Sequence, residues 1–143
     1  MKRDIILSGV GGQGILSIAA VIGRAALEDG LHIKQAEVHG MSQRGGSVVT
    51  YVRYGDHVYS PVIEQGEADM IISFEQLEAA RWLPYLKDGG KIVVSTQMID
   101  PMPVITGAMA YPQDLIAKMR AAGADVDGVD ALALAEQAGS SKA

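Results

Sequence analysis

The chain contains no cysteine. That absence excludes disulfides, thiol catalysis, thiolate zinc sites and iron–sulfur clusters held by their usual cysteine ligands. Any part the protein takes in electron transfer needs a redox centre in another chain or in a diffusible cofactor. Long hydrophobic runs are missing too, since no apolar stretch approaches the roughly 20 residues that cross a bilayer. The opening Met-Lys-Arg-Asp turns acidic and then enters Ile5-Ile6-Leu7, unlike a secretory leader, so a cytoplasmic location without a membrane partner is expected. Positive charge is in deficit, with 12 Lys and Arg against 17 Asp and Glu and a net charge of −5. The basic residues are scattered, whereas phosphate neutralisation needs a clustered positive face, so no nucleic-acid partner is expected. No Ser-His-Asp set, paired catalytic carboxylates or metal-spaced ligands stand out, and the glycine loop lacks the Lys-Ser/Thr end of a triphosphate loop. Alone, the chain does not read as a complete catalyst.

What is present is a globular composition: 48% apolar and 20% charged over 143 residues, enough for one domain with a proper core. Residues 4–8 read as a strand buried on both faces, because the apolar residues run together instead of alternating. Residues 14–29 repeat Ile15, Ile18, Ala19, Ile22, Ala25 and Ala26 at helical spacing, and Gly30 supplies a stop. Residues 32–38 are strand-like, and a right-handed crossover makes them parallel to the first strand. After the polar glycine-bearing loop 39–47, residues 48–63 read as a hairpin broken at Gly55-Asp56, with Pro61 in its second arm.

Residues 68–73 return to a buried parallel strand. The spacing of 74–83 predicts a helix with Glu75, Glu78 and Arg81 on the wet side and Pro84 at its end. A strand at 91–96, a loop or short strand over 100–112, a helix at 113–122, a short strand at 124–126 and a helix at 130–138 complete the pattern. The small polar tail "GSSKA" adds no element. The expectation is an α/β fold of three layers, with a mostly parallel sheet and an inserted antiparallel hairpin.

Two motifs carry chemistry. The first, "SGVGGQG" over residues 8–14, spaces Gly9, Gly11 and Gly14 as G-x-G-x-x-G, with Gly12 and Gln13 inside. Glycines between a strand and a helix let backbone N–H groups approach an anion that the helix dipole favours. Glu37 stands about where a dinucleotide site places its ribose-binding acid, so NAD or FAD is one reading. A tight turn with close helix–strand packing is the other.

The second motif, "EVHGMSQRGG" over residues 37–46, carries Arg44 flanked by Gly45 and Gly46. Its planar, doubly donating group suits a phosphate, a carboxylate, a partner's acidic side chain or a structural salt bridge with Glu37. Arg53 can reach the same anion or only solvent. An imidazole can change charge near neutrality, but His39 lacks companions for a metal or base role.

Taken together, "SGVGGQGILSIAAVIGRAA" followed by "AEVHGMSQRGGSVVTYVRYGDHVYSP" resembles the gamma-type subunit of the 2-oxoacid (pyruvate, ketoisovalerate, indolepyruvate):ferredoxin oxidoreductases. The "HGMSQRGGSV" form is most similar to the small (beta) subunit of the indolepyruvate-acting members. The resemblance implies a Rossmann-like domain within a cytoplasmic complex that oxidatively decarboxylates a 2-oxoacid to an acyl-CoA. That complex uses thiamine diphosphate and iron–sulfur clusters, with coenzyme A as acyl acceptor and ferredoxin as electron acceptor.

The gamma-type chain normally holds neither thiamine nor cluster. It packs against the large catalytic subunit and helps shape the coenzyme A side of the site, and ferredoxin is an indirect partner. Gly9, Gly11, Gly12, Gln13 and Gly14 match the family's glycine loop, and Glu37, Gly40, Arg44, Gly45 and Gly46 its second motif. These are the candidate cofactor-binding residues; no catalytic residue and no metal ligand is expected. The alternatives are a stand-alone NAD- or flavin-binding oxidoreductase domain and a CoA- or phosphate-binding module. Family members continue beyond this length, so one reading of residues 1–143 is a single domain shortened at its C-terminal end. Apolar surface left open in that way invites a homo-oligomer when the chain is isolated.

Overall fold

The computed structural model describes residues 2–39 and 46–139. Strand β1, Lys2–Val10, is the centre of the sheet because Ile6 and Leu7, on opposite faces, are both fully buried. Each such side chain contributes about 1.5–3 kcal/mol of burial. The chain then forms α1 (Ile15–Glu28), β2 (His32–His39), β3 (Ser47–Gly55), β4 (Ala68–Ser73) and α2 (Gln76–Arg81). A 3-10 turn at Leu83–Tyr85 leads into β5 (Leu86–Ser95), α3 (Met102–Ile105), α4 (Leu115–Ala121), β6 (Asp125–Val129) and α5 (Ala131–Gln137).

The strands lie in the order β2-β3-β1-β4-β5-β6, and β1, β4, β5 and β6 are parallel neighbours. On one face Ile5, Leu7 and Val52 pack against Ile15 and Ala19 of α1, with Ala131 of α5 alongside. On the other, Ile6, Ile71, Ile92 and Val94 meet Ala79 of α2 and Met119 of α4. This is the expected three-layer α/β domain.

The hairpin is not where the sequence places it. Ser47–Gly55 is one unbroken strand, antiparallel to β1 on one side and to β2 on the other. The sheet therefore holds two antiparallel pairs, β2 with β3 and β3 with β1, and β3 separates β1 from β2, which run in the same direction without pairing. After Gly55 the chain leaves the sheet, and residues 57–67 form no strand. The reason is Arg53: its Nη1 donates to the carbonyls of Ser60 (3.1 Å) and Val62 (2.7 Å), fixing this segment by side chain instead of ladder.

Two further expectations change. Residues 102–105 are helical rather than loop or strand. Glu75 and Glu78, placed on the wet side by periodicity, are only 1% and 3% exposed.

Candidate functional site

In a doubly wound sheet ligands settle beyond the carboxyl ends of the strands, where successive helices leave for opposite faces. Here that point lies between β1, followed by α1 on one face, and β4, followed by α2 on the other. The glycine loop sits over it. Gly12 and Gly14 adopt φ of +95° and +85°, a left-handed backbone that side chains rarely adopt. Gly14 caps α1 without a side-chain hydrogen bond. A Cβ on Gly9 would come within 2.8 Å of both Gln13 Oε1 and Ile15 Cδ1, so this glycine serves close packing beneath the loop. Gly11 N–H donates to the Gly46 carbonyl at 2.9 Å, joining the two sequence motifs through their backbones.

Gln13 occupies the crevice itself. Its Oε1 accepts from Val10 N–H at 2.7 Å, and its Nε2 donates to the Phe74 carbonyl at 2.9 Å and to Gln97 Oε1 at 3.2 Å. One amide thus staples the end of β1 to the segments leaving β4 and β5. Both ends of the side chain are committed to the protein.

Beside this staple, on the α1 face, is a cavity of about 380 Å³ lined by Gly11, Gly12, Gln13, Gly14, Ser17 and Glu37, among others. The N–H groups of Ile15 and Leu16, in the first turn of α1, have no intrahelical acceptor and offer an anion site. Glu37 is exposed and stands on the same cavity. The structure therefore brings Gly11, Gly12, Gln13, Gly14 and Glu37 together, leaves Gly9 beneath them and attaches Gly46 by backbone. Gly40, Arg44 and Gly45 lie outside the described residues, and so does the proposed pairing of Arg44 with Glu37. Arg53 does not line that anion site: its Nε bonds Asp4 Oδ1 at 3.0 Å, and Asp4 is 1% exposed.

Periodicity misses a buried polar cluster on the α2 face. Glu75 caps α2, its Oε1 accepting from Glu78 N–H at 2.9 Å, while Oε2 accepts from Ile99 N–H at 3.0 Å and from the Tyr111 hydroxyl. Burial first, then the hydrogen bond and charge of Glu75, push the Tyr111 phenol up. Glu78 Oε1 accepts from the Ser47 hydroxyl at 2.8 Å and pairs with Arg81 Nε at 3.2 Å, while Oε2 is buried without a partner among the described residues. The Glu75-x-x-Glu78 spacing at a helix start, akin to a capping box, is the one sequence signal for this arrangement.

Burial pushes the Glu78 carboxyl above the ordinary glutamate range, outweighing Ser47 and Arg81, and Glu75 adds to the rise. A carboxyl raised on folding contributes stability that is fully present below its unfolded value, about 4.3, and is lost as pH rises through the folded value. Glu78→Gln should therefore gain on the wild type in denaturant midpoint as pH goes from about 4 to about 7. A variant that instead fell further behind toward neutral pH would contradict a net burial cost at this carboxylate.

Fold and site together define a Rossmann-like α/β domain with a glycine-loop cavity at the switch point of its sheet. The chain belongs to the pyruvate ferredoxin/flavodoxin oxidoreductase family, whose profile matches residues 4–143. It is 49% identical over 111 residues to indolepyruvate oxidoreductase subunit IorB of Pyrococcus horikoshii, covering 78% of this chain and 55% of that protein. It is 42% identical over 142 residues to the subunit of the same name from Archaeoglobus fulgidus, covering 98% of this chain and 70% of that protein. The chain thus spans little more than half the length of the Pyrococcus relative. The crystal structure of pyruvate oxidoreductase subunit PORC from Thermotoga maritima shares the fold, with a TM-score of 0.67 at 19% identity over 95% of this chain and 66% of that one.

Among the described residues no group of three or more His, Asp or Glu is placed to hold a metal ion, and no helix is long and apolar enough to cross a membrane.

Proposed function

We propose that this chain is the gamma-type small subunit of a 2-oxoacid:ferredoxin oxidoreductase, of the indolepyruvate-acting kind, in the cytoplasm. Its partner is a larger subunit carrying thiamine diphosphate and iron–sulfur clusters, which oxidatively decarboxylates the 2-oxoacid to an acyl-CoA and reduces ferredoxin. The observation that carries this reading is the 49% identity to a protein named as an indolepyruvate oxidoreductase subunit. The donor chemistry agrees, because 143 residues without a cysteine offer no thiolate to a cluster.

Within this reading the cavity beside Gly11, Gly12, Gln13 and Gly14 receives an anionic group of coenzyme A or an acidic residue of the large subunit. The first-turn N–H groups of α1 supply the donors, and Arg44, Gly45 and Gly46 belong to the same recognition surface. Gln13 argues against a dinucleotide in the crevice, because its amide already bonds the groups that line it.

A second reading, an independent nicotinamide- or flavin-binding domain, draws support from Glu37 on the glycine-loop cavity. Co-expression with the cognate large subunit, followed by size-exclusion chromatography and absorption spectra, separates the two. The subunit reading expects co-elution as one complex and no flavin absorption from the small chain alone. Separate elution, with flavin or nicotinamide bound to the small chain, would replace it with the second reading.

A further inference from the structure

Strand β2 is an edge of the sheet: β3 pairs with one side of it, and among the described residues no strand pairs with the other. Gly11 N–H donates to the Gly46 carbonyl, one step beyond the pair Val10–Ser47. Odd-numbered residues of β1 therefore exchange bonds with even-numbered residues of β3. Odd-numbered residues of β3 then bond even-numbered residues of β2. Ile33, Gln35 and Glu37 are left with N–H and C=O groups directed away from the sheet, where a further strand can pair.

Helix α1 packs on both β3 and β2. Its residues Leu16, Ala20, Arg24 and Leu27 recur at helical spacing, are all exposed, and share a trough with Ile33, Gln35 and Glu37 of β2. Leu16, 52% exposed, and Leu27, 63% exposed, form the apolar ends of that stripe.

Helix and strand share one midpoint. Gln35 Nε2 donates to the Ala19 carbonyl at 2.6 Å, and a Cβ on Gly23 would meet the same nitrogen at 2.9 Å. Leu16 lies beside Glu37 and Leu27 beside Ile33, to either side of Gln35. A two-fold axis perpendicular to the sheet, at the edge beside Gln35, therefore suits both elements at once. It sets Gln35 opposite its own copy and Ile33 opposite Glu37 of the other copy, and these are the positions with outward backbone groups. The same rotation brings Leu16 of each copy to Leu27 of the other across antiparallel α1 helices. It also carries Arg24, whose Nε lies 3.4 Å from exposed Glu28, toward Glu37 of the other copy. An axis at Glu37 would instead face two identical carboxylates, and one at Ile33 would set Gln35 opposite Leu31, outside the strand.

We propose that two copies of this chain associate edge to edge through β2 about the axis at Gln35, joining two six-stranded sheets into one and packing α1 against α1. A second copy fits this edge better than an unrelated strand, because one rotation makes strand register, apolar pair and opposite charges agree. The surface lies between residues 16 and 37, so it depends on neither end of the chain. The inference stands apart from the function proposed above.

The test is sedimentation velocity of the full chain from about 5 to about 200 µM, over which the wild type is expected to pass from monomer to dimer. Leu16→Glu and Leu27→Lys sit at exposed positions, with charges that suit the two ends of α1, so the fold stays intact. Each alone should weaken the dimer at least about tenfold by losing two apolar contacts per pair of copies. Mixed in equal amounts, the two variants should recover wild-type association to within about threefold. In the mixed dimer the introduced carboxylate meets the introduced ammonium, and the other Leu16–Leu27 contact is restored. A wild type that stays monomeric throughout, a dimer that neither variant weakens, or no recovery on mixing would overturn the proposal.

Discussion

Gln13→Ala is expected to destabilise the domain by about 2–4 kcal/mol, roughly 6–12 °C in melting temperature for a chain of this size. The side chain makes three hydrogen bonds, to Val10 N–H, the Phe74 carbonyl and Gln97 Oε1. Removing it strands a partly buried donor and acceptor at the ends of two central strands, which costs more than the net worth of the bonds. Gln13→Glu should be at least as damaging, because it turns the donor into a charged oxygen facing the Phe74 carbonyl. Thermal melts of both variants check this. If Gln13 instead served mainly as a ligand contact, alanine would leave the melting temperature nearly unchanged and weaken only binding.

Arg53→Met carries the larger expected cost, about 3–5 kcal/mol, because it leaves the Asp4 carboxylate buried without its main partner. Asp4 is 1% exposed, and the Arg53 side chain, 13% exposed, also fixes residues 60–62 through two carbonyl bonds. Lys2, 3.4 Å from Asp4 Oδ2, covers only part of that charge. Adding Asp4→Asn to Arg53→Met should recover a substantial fraction in urea unfolding, since a buried neutral amide costs less than a buried lone charge. Additive losses in the double variant would show that the two residues do not act as a pair.

Both residues show where sequence reading succeeds and where it stops. The strand Ala68–Ser73 and the helix Ile15–Glu28 were legible because their signals are local: an apolar run between breakers, and a 3.6-residue period opened and closed by glycine. The glycine loop was legible for the same reason.

The hairpin reading failed because Gly55-Asp56 between β-branched runs is a good local turn signal, while the deciding interactions are those of Arg53 with Asp4 and with the Ser60 and Val62 carbonyls. Gln13 shows a similar limit at the site. Its position inside the motif is plain, but its role depends on Phe74 and Gln97, separated from it by 61 and 84 residues. Glu75 and Glu78 looked solvated because charge on a helix usually is. Tyr111, Ile99 and Ser47 reach them from three other segments and make their burial tolerable.

The proposed role of the chain as a required subunit without its own redox centre is tested most directly by reconstitution. The cognate large subunit is assayed for indolepyruvate- and coenzyme A-dependent ferredoxin reduction with and without this chain. High activity is predicted only when both are present, with none from this chain alone. Equal rates with and without it would contradict the assignment.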